Sequence, residues 1–265
     1  MNNRLISAVF VLSATLFILV GHSPGTLAAT DLRAGAAVSD ITPQVGVSLD
    51  GPISENGPVT AIHDRLHARA LVLADGTTQL ALVVCDACMI GRDVFDAAKE
   101  IAQRQTGLPV THMLMSATHT HAAPRATHIG TSELDDEYHR FLAQRIAEAV
   151  VQANANLAPA QIGWTSFPRP DLIRCRRSLC EPDSVGANPF GNLGERIKSV
   201  SGKSNAVIEP AGPVDPQFSV LSVRHVDGKP LAVMGNFSVH YCGGYQRVWL
   251  APITSVISPQ PFRLI

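Results

Sequence analysis

Two histidines one residue apart, His119 and His121, close an apolar run in "MSATHTHAAP", and a third, His240, ends a later β-prone stretch. Neutral imidazole is the commonest protein ligand for zinc, and a catalytic zinc typically takes three protein ligands and leaves one position for water. Residues two apart on a strand share a face, so a strand running through His119 and His121 would aim both side chains into one space. The competing reading is of hydrogen-bonded structural histidines, since His-x-His also arises by chance. Spacing alone leaves both open. Cys85-Asp-Ala-Cys88 has the spacing of a redox pair, but it follows an apolar strand instead of opening a helix, where a thiolate would be stabilised. Two partly buried cysteines are the plainer reading. In "IRCRRSLC", Cys175 and Cys180 bracket an arginine-rich loop and could close a disulfide in an oxidising compartment.

These residues need elements to hold them. "ARALVLAD" at 68 to 75 and the run at 79 to 87 are β-prone and separated by Asp75-Gly76, which predicts a hairpin. After Gly91, Val94, Ala97, Ala98, Ile101 and Ala102 recur at helical spacing until Gly107-Leu108-Pro109. "THMLMSAT" then reads as a strand, giving a strand, helix, strand crossover, right-handed by the general rule. His119 and His121 fall just beyond its carboxyl end, where open α/β sheets place their sites. A second helix is expected from about Glu133 to Ala153, with Ser132 and Asp135 as a capping pair and Tyr138, Phe141, Leu142, Ile146, Ala149 and Val150 on one face. Residues 166 to 214 show no sustained period and read as a long loop. "QFSVLSVRHV" and "PLAVMGNFSVH" form a second expected hairpin around Asp227-Gly228, and the latter carries His240. The fold class is therefore α/β, with mixed sheets, a β-α-β crossover and flanking helices.

With Lys+Arg 21 against Asp+Glu 22, the 265-residue chain lacks the basic surface that binds nucleic acid by counterion release. Residues 1 to 29 carry Arg4, an apolar stretch from Leu5 to Val20, Pro24-Gly25 and small residues through Ala28 and Ala29. This is the pattern of a cleaved signal peptide, and it predicts a secreted or periplasmic protein. The apolar run is shorter than the ~20 residues a membrane span needs. The remainder suits one core, and so one domain from residue 30 to 246.

"SATHTHAAP" closely resembles the S-G-T-H-T-H-S-G/A-P signature of the neutral/alkaline ceramidase family. "HDRLHARALVLADG", "VIEPAGPVDPQFSVLSV" and "NFSVHYCGGY" also match, in the order found in its shorter bacterial members, so the resemblance covers roughly residues 32 to 246. It implies that His119 and His240 are zinc ligands and that His121 beside the metal positions substrate or moves a proton. It implies a zinc-dependent hydrolase of linear amides, whose substrate is an N-acylated sphingolipid or related amide met at a membrane surface; no specific protein partner is inferred. Zinc would lower the pKa of its water to about 7 and polarise the amide carbonyl, and an imidazole would carry the proton to the leaving amine. An N-R-R motif of the family aligns with Cys175, Arg176 and Arg177. Arg176 and Arg177 would then hold substrate oxygens, the alternative being a solvated charge cluster.

Two further ligands of the family, a glutamate and a tyrosine, lie beyond the second histidine, and here the sequence runs to Ile265. The family continues after its glycines into S-A-D-Y-F-G, whereas this chain reads "RVWLAPITSVISPQPFRLI". Permissive codons for "LAPITSVIS", read in a shifted frame, spell S-A-D-Y-F-G-H-F. The expectation is a frameshift near Gln246 or Arg247, an out-of-frame tail over 247 to 265, and an incomplete C-terminal part. Against the impaired zinc amidohydrolase stands a non-catalytic remnant or binding protein that keeps only the N-terminal half of the fold.

Overall fold

The computed structural model describes residues 31–49, 58–124, 126–127, 133–184, 186–199, 206–239 and 249–250. The expected signal peptide, Ser132, His240 and all of the tail except Trp249 and Leu250 lie outside them.

In chain order the strands and helices are β1 (Arg33–Asp40), β2 (Ala61–Ile62), β3 (His67–Ala74), β4 (Gln79–Cys85), α1 (Arg92–Thr106), β5 (Met113–Ala117), α2 (Glu133–Ala155), β6 (Ala158–Pro168), β7 (Ser178–Cys180), β8 (Ile197–Lys198), β9 (Val207–Pro210), β10 (Gln217–His225), β11 (Pro230–Phe237) and β12 (Trp249–Leu250). Seven strands form one sheet in the order β11-β10-β6-β1-β3-β4-β5. Its neighbours are antiparallel except β4 and β5, which run parallel with α1 as their crossover. The fold is α/β with a mixed sheet.

Both expected hairpins are present. Asp75 closes the first by accepting hydrogen bonds from the Thr77 and Thr78 N–H groups at 3.0 and 2.7 Å, a turn chemistry that suits Asp. Helix α1 ends where Gly107 takes φ 77°, a left-handed conformation that costs glycine least, and its N–H reaches Gln103 O at 2.8 Å. Alternate residues of the central strands, Ala68, Ala70 and Val72 of β3 with Ala81, Val83 and Cys85 of β4, face both helices. Against them lie Val94, Ala98 and Ala102 of α1 and Tyr138, Leu142, Ile146, Ala149, Val150 and Ala153 of α2. The expected helical faces need two corrections. Ala97 and Phe141 are exposed, because the stripe on each helix is narrowed by alanines that let it sit close to the sheet. Asp135 is buried, and its carboxylate accepts the Ser48 N–H at 3.2 Å.

Two strands carried no sequence expectation, and two other expectations are corrected. Strands β1 and β6 are neighbours in the sheet, pairing at Arg33–Pro159 and Ala34–Ala158, although neither has a clear apolar alternation. The first is rich in Ala and Gly, and the second is exposed over much of its length. The loop at 166 to 214 contains the end of β6 together with β7, β8 and β9, which make a three-stranded sheet of pieces too short to show a period. Cys175 and Cys180 are free thiols; Cys180 is buried and its Sγ points at Ser178 O, 3.7 Å away. Within 247–265, Trp249–Leu250 pairs in parallel with Ala61–Ile62, apart from the main sheet. No described helix is long and apolar enough to cross a membrane.

Candidate metal centre

Strands β4 and β5 end together, with Cys85 paired to Ala117. The chain then leaves both strands at one corner of the sheet, and the donors sit on the two exits: Cys88 three residues past β4, His119 and His121 two and four past β5. The Thr118 N–H donates to Cys85 O at 3.0 Å and ties the exits together. Farther on, Pro124 bridges to Leu49, and the Gly91 N–H donates to Ala126 O at 2.7 Å.

The two histidines meet for a reason other than strand alternation. The strand stops at Ala117, and His119 takes φ 63°, a left-handed conformation that few non-glycine residues adopt. Thr120 between them is fully buried. This kink turns the half-buried rings toward each other, with centroids 4.8 Å apart, an interplanar angle of 86° and an Nε2···Nε2 distance of 3.3 Å. On its other side His119 Nδ1 lies 3.0 Å from Cys88 O. A backbone carbonyl on one ring nitrogen is the usual device for presenting the other nitrogen's lone pair to a metal. Cys88 is itself 2% exposed, and one donor atom from each of Cys88, His119 and His121 lies within 4.8 Å of the others. The residues present therefore fit a borderline-soft divalent ion.

Beneath the corner sits a buried charge pair. Asp86 is 1% exposed, and its Oδ2 accepts Arg69 Nη1 at 2.8 Å and the His67 N–H at 2.9 Å. Its Oδ1 is buried with no hydrogen-bond partner. The Asp86 N–H donates to His67 O at 2.9 Å, so the segment carrying Cys88 is fastened to β3 through both backbone and side chain. Cys85, wholly buried, has its thiol pushed far up by desolvation and then by the Asp86 charge, the opposite of an activated redox thiol.

Of the residues singled out from sequence, the structure brings His119 and His121 together. His240 lies outside the described residues. Arg176 and Arg177 are exposed in the bend ahead of β7, where Arg177 O accepts the Ala211 N–H at 2.9 Å. Cys88 and the Asp86–Arg69 pair were missed as site components. The signal was available in the Cys-x-x-Cys spacing combined with the parallel crossover, which sends both strand exits to one place.

An α/β sheet with two imidazoles and a thiol gathered at the carboxyl ends of its parallel pair defines a candidate metal site. Residues 32–245 match the model of the neutral/alkaline non-lysosomal ceramidase N-terminal region, and the chain belongs to that family. It is 28% identical over 217 residues to neutral ceramidase B of Dictyostelium discoideum, a match covering 78% of this chain and 28% of that protein. Its fold is similar to the crystal structure of neutral ceramidase from Pseudomonas aeruginosa, with TM-score 0.57, 21% identity and coverage of 80% of this chain and 32% of that one. A structure of a ceramidase complexed with C2 matches at TM-score 0.55 and 21% identity, covering 80% and 31%. The chain thus spans about a third or less of the length of the relatives it matches.

Proposed function

We propose that this chain forms the metal-holding N-terminal part of an exported, zinc-dependent amidohydrolase that cleaves the amide of an N-acylated sphingolipid or a closely related lipid amide. Membership of the ceramidase family supports the amide substrate. The observation that supports the metal chemistry is the cluster of donors at the strand exits, in which His121 Nε2 lies 3.3 Å from His119 Nε2. A zinc ion bound there supplies an acidified water and a Lewis acid for the carbonyl. His119, fixed by the carbonyl of Cys88, orients its Nε2 as a ligand, and His240 is the second ligand by its place in the N-F-x-x-H motif. His121, 3.3 Å from the His119 ligand nitrogen, would hold the proton and pass it to the departing amine. Arg176 and Arg177 hold substrate oxygens from the exposed bend before β7. The lipid is met at a membrane surface, and the site of action is outside the cytoplasm, in keeping with the leader-like residues 1 to 29.

The test is hydrolysis of N-acylsphingosine by the native protein before and after zinc chelation, and by His119→Ala. The expected outcome is turnover that disappears on chelation, returns with added zinc, and is absent in the variant. Turnover that survives both chelation and His119→Ala refutes the metal mechanism.

A further inference from the structure

We propose that the loop joining β7 to β8 is a membrane-docking tip, which seats Phe190 and Leu193 in the interfacial layer of an anionic lipid bilayer. The choice of lipid as occupant rests on the lipid-amide reading above, while the tip stands on three observations independent of the metal corner.

First, the tip is braced by its own hydrogen bonds. Strands β7 and β8 form an antiparallel stem, with Ser178 opposite Lys198 and Leu179 opposite Ile197, and the Cys180 N–H closes it by donating to Arg196 O at 2.8 Å. Midway along the loop, the chain gathers around Asn188. Its O accepts the Gly191 N–H at 2.9 Å, its N–H donates to Asn192 O at 3.0 Å, and its Oδ1 accepts the Phe190 and Asn192 N–H groups, each at 3.0 Å. Pro189 and Gly191, the latter at φ 81°, suit such a turn. Every N–H from Asn188 to Asn192 is thus bonded within the tip, Pro189 having none. A backbone satisfied internally is what a lipid environment requires.

Second, Phe190 is 88% and Leu193 79% exposed. Single apolar side chains on a surface are ordinary. These two stand three residues apart on a turn that is already ordered, so little conformational freedom remains to be lost on contact.

Third, the charges stop short of the tip. From Gly186 to Gly194 the sequence holds no charged side chain, so no ion has to be dehydrated when these residues enter an interface. Charge returns at the base, where Arg174, Arg176, Arg177, Arg196 and Lys198 outnumber Glu181, Asp183 and Glu195. Lys198 lies 4.0 Å from Glu195, and the surplus is positive. Apolar side chains in front of basic ones make the pattern of an interfacial anchor on anionic lipid.

The test is tryptophan fluorescence of Phe190→Trp in the full chain, with the emission of the parent, which holds Trp164 and Trp249, subtracted. The probes are vesicles of phosphatidylcholine with phosphatidylglycerol, made with and without bromine on the acyl chains, and vesicles of phosphatidylcholine alone. The expected result is an added emission that shifts to the blue on vesicles and is quenched by the brominated chains. Affinity read from this signal should fall about tenfold on adding Leu193→Ser, the loss of one buried apolar side chain, and should be weaker for phosphatidylcholine alone. Residues 1 to 29 are present in every protein compared, and the signal reports position 190. An added emission that stays at the wavelength of tryptophan in water and escapes the bromines overturns the proposal. A blue shift that grows with protein concentration and needs no vesicles assigns the tip to a protein contact and overturns it equally. Equal affinity for the two lipid mixtures overturns the part given to the basic residues. The measurement needs neither zinc nor turnover, so its failure leaves the amidohydrolase reading standing, and loss of that reading leaves the vesicle result standing.

Discussion

Replacing Arg69 by Met keeps most of the side-chain volume and removes the guanidinium paired with Asp86. The Arg69 guanidinium is 13% exposed and the Asp86 carboxylate 1% exposed, so the pair lies well inside the protein at 2.8 Å. Without Arg69 the carboxylate keeps one hydrogen bond, from the His67 N–H, while its other oxygen already has none. Breaking a buried pair by removing one partner typically costs about 3–5 kcal/mol, because an uncompensated charge is left in a poor solvent. For a folded unit of this size each kcal/mol moves the thermal midpoint by about 2–4 °C, so the loss should be about 6–20 °C. The double variant Arg69→Met/Asp86→Asn removes the stranded charge and leaves an amide oxygen for the His67 N–H, so it should recover a large share of that loss. Urea titration and thermal unfolding of the four proteins in the cycle provide the assay. Arg69→Met within 1 kcal/mol of the parent, or a double variant no more stable than the single one, refutes the reasoning.

Gly35→Ala should destabilise strongly, at the upper end of the about 1–3 kcal/mol of an overpacked core. A Cβ there would run into Ala153 O and stand 2.8 Å from Asn156 C and Leu157 N, all backbone atoms, so a urea midpoint near the parent's would contradict the close packing of β1 on the end of α2. Asp75→Ala should lower the urea midpoint at pH 7, and its deficit should shrink in acid. The hydrogen bonds from Thr78 and Thr77 hold the Asp75 carboxyl below its ordinary 3.8, so its contribution is complete above that value and is lost as pH falls through the lower folded value; a deficit equal at pH 7 and pH 3 counts against the turn assignment.

What could be read from the sequence was whatever repeats over enough residues or sits in a fixed local frame. The stripe Val94, Ala98, Ala102 gave α1, and Asp75-Gly76 and Asp227-Gly228 gave both hairpins. The strands without such marks escaped. Strand β1 uses small residues on both faces: Gly35 sits against the end of α2 and Ala37 packs under the helices, while Ala34 and Ala36 pack with Leu71, Ala160 and Val223 on the other face. Strands β7 and β8 are three and two residues long. At the site, His119 and His121 stood out as a pair, but the geometry that joins them was misjudged. Strand periodicity predicted a shared face, while the chain achieves the meeting through a left-handed turn at His119 that no local propensity demands. Cys88 stayed hidden because its neighbours are distant in sequence and become adjacent through the parallel pairing of β4 with β5.

The donor corner is also the most local part of the sheet. Its strands, its crossover helix and all three donors lie in the run from His67 to His121, and the β3–β4 hairpin joins Ala74 to Gln79 across a short turn. The opposite wing depends on β6 meeting β10, where Pro168 pairs with Gln217 and Ala160 with His225, partners some fifty residues or more apart. Contacts of short sequence separation close sooner, and a growing chain folds from its amino end. On that ground the thiol and imidazoles are expected to become neighbours before β10 pairs, with the metal corner an early event in the life of the chain and the β10–β11 wing a late one.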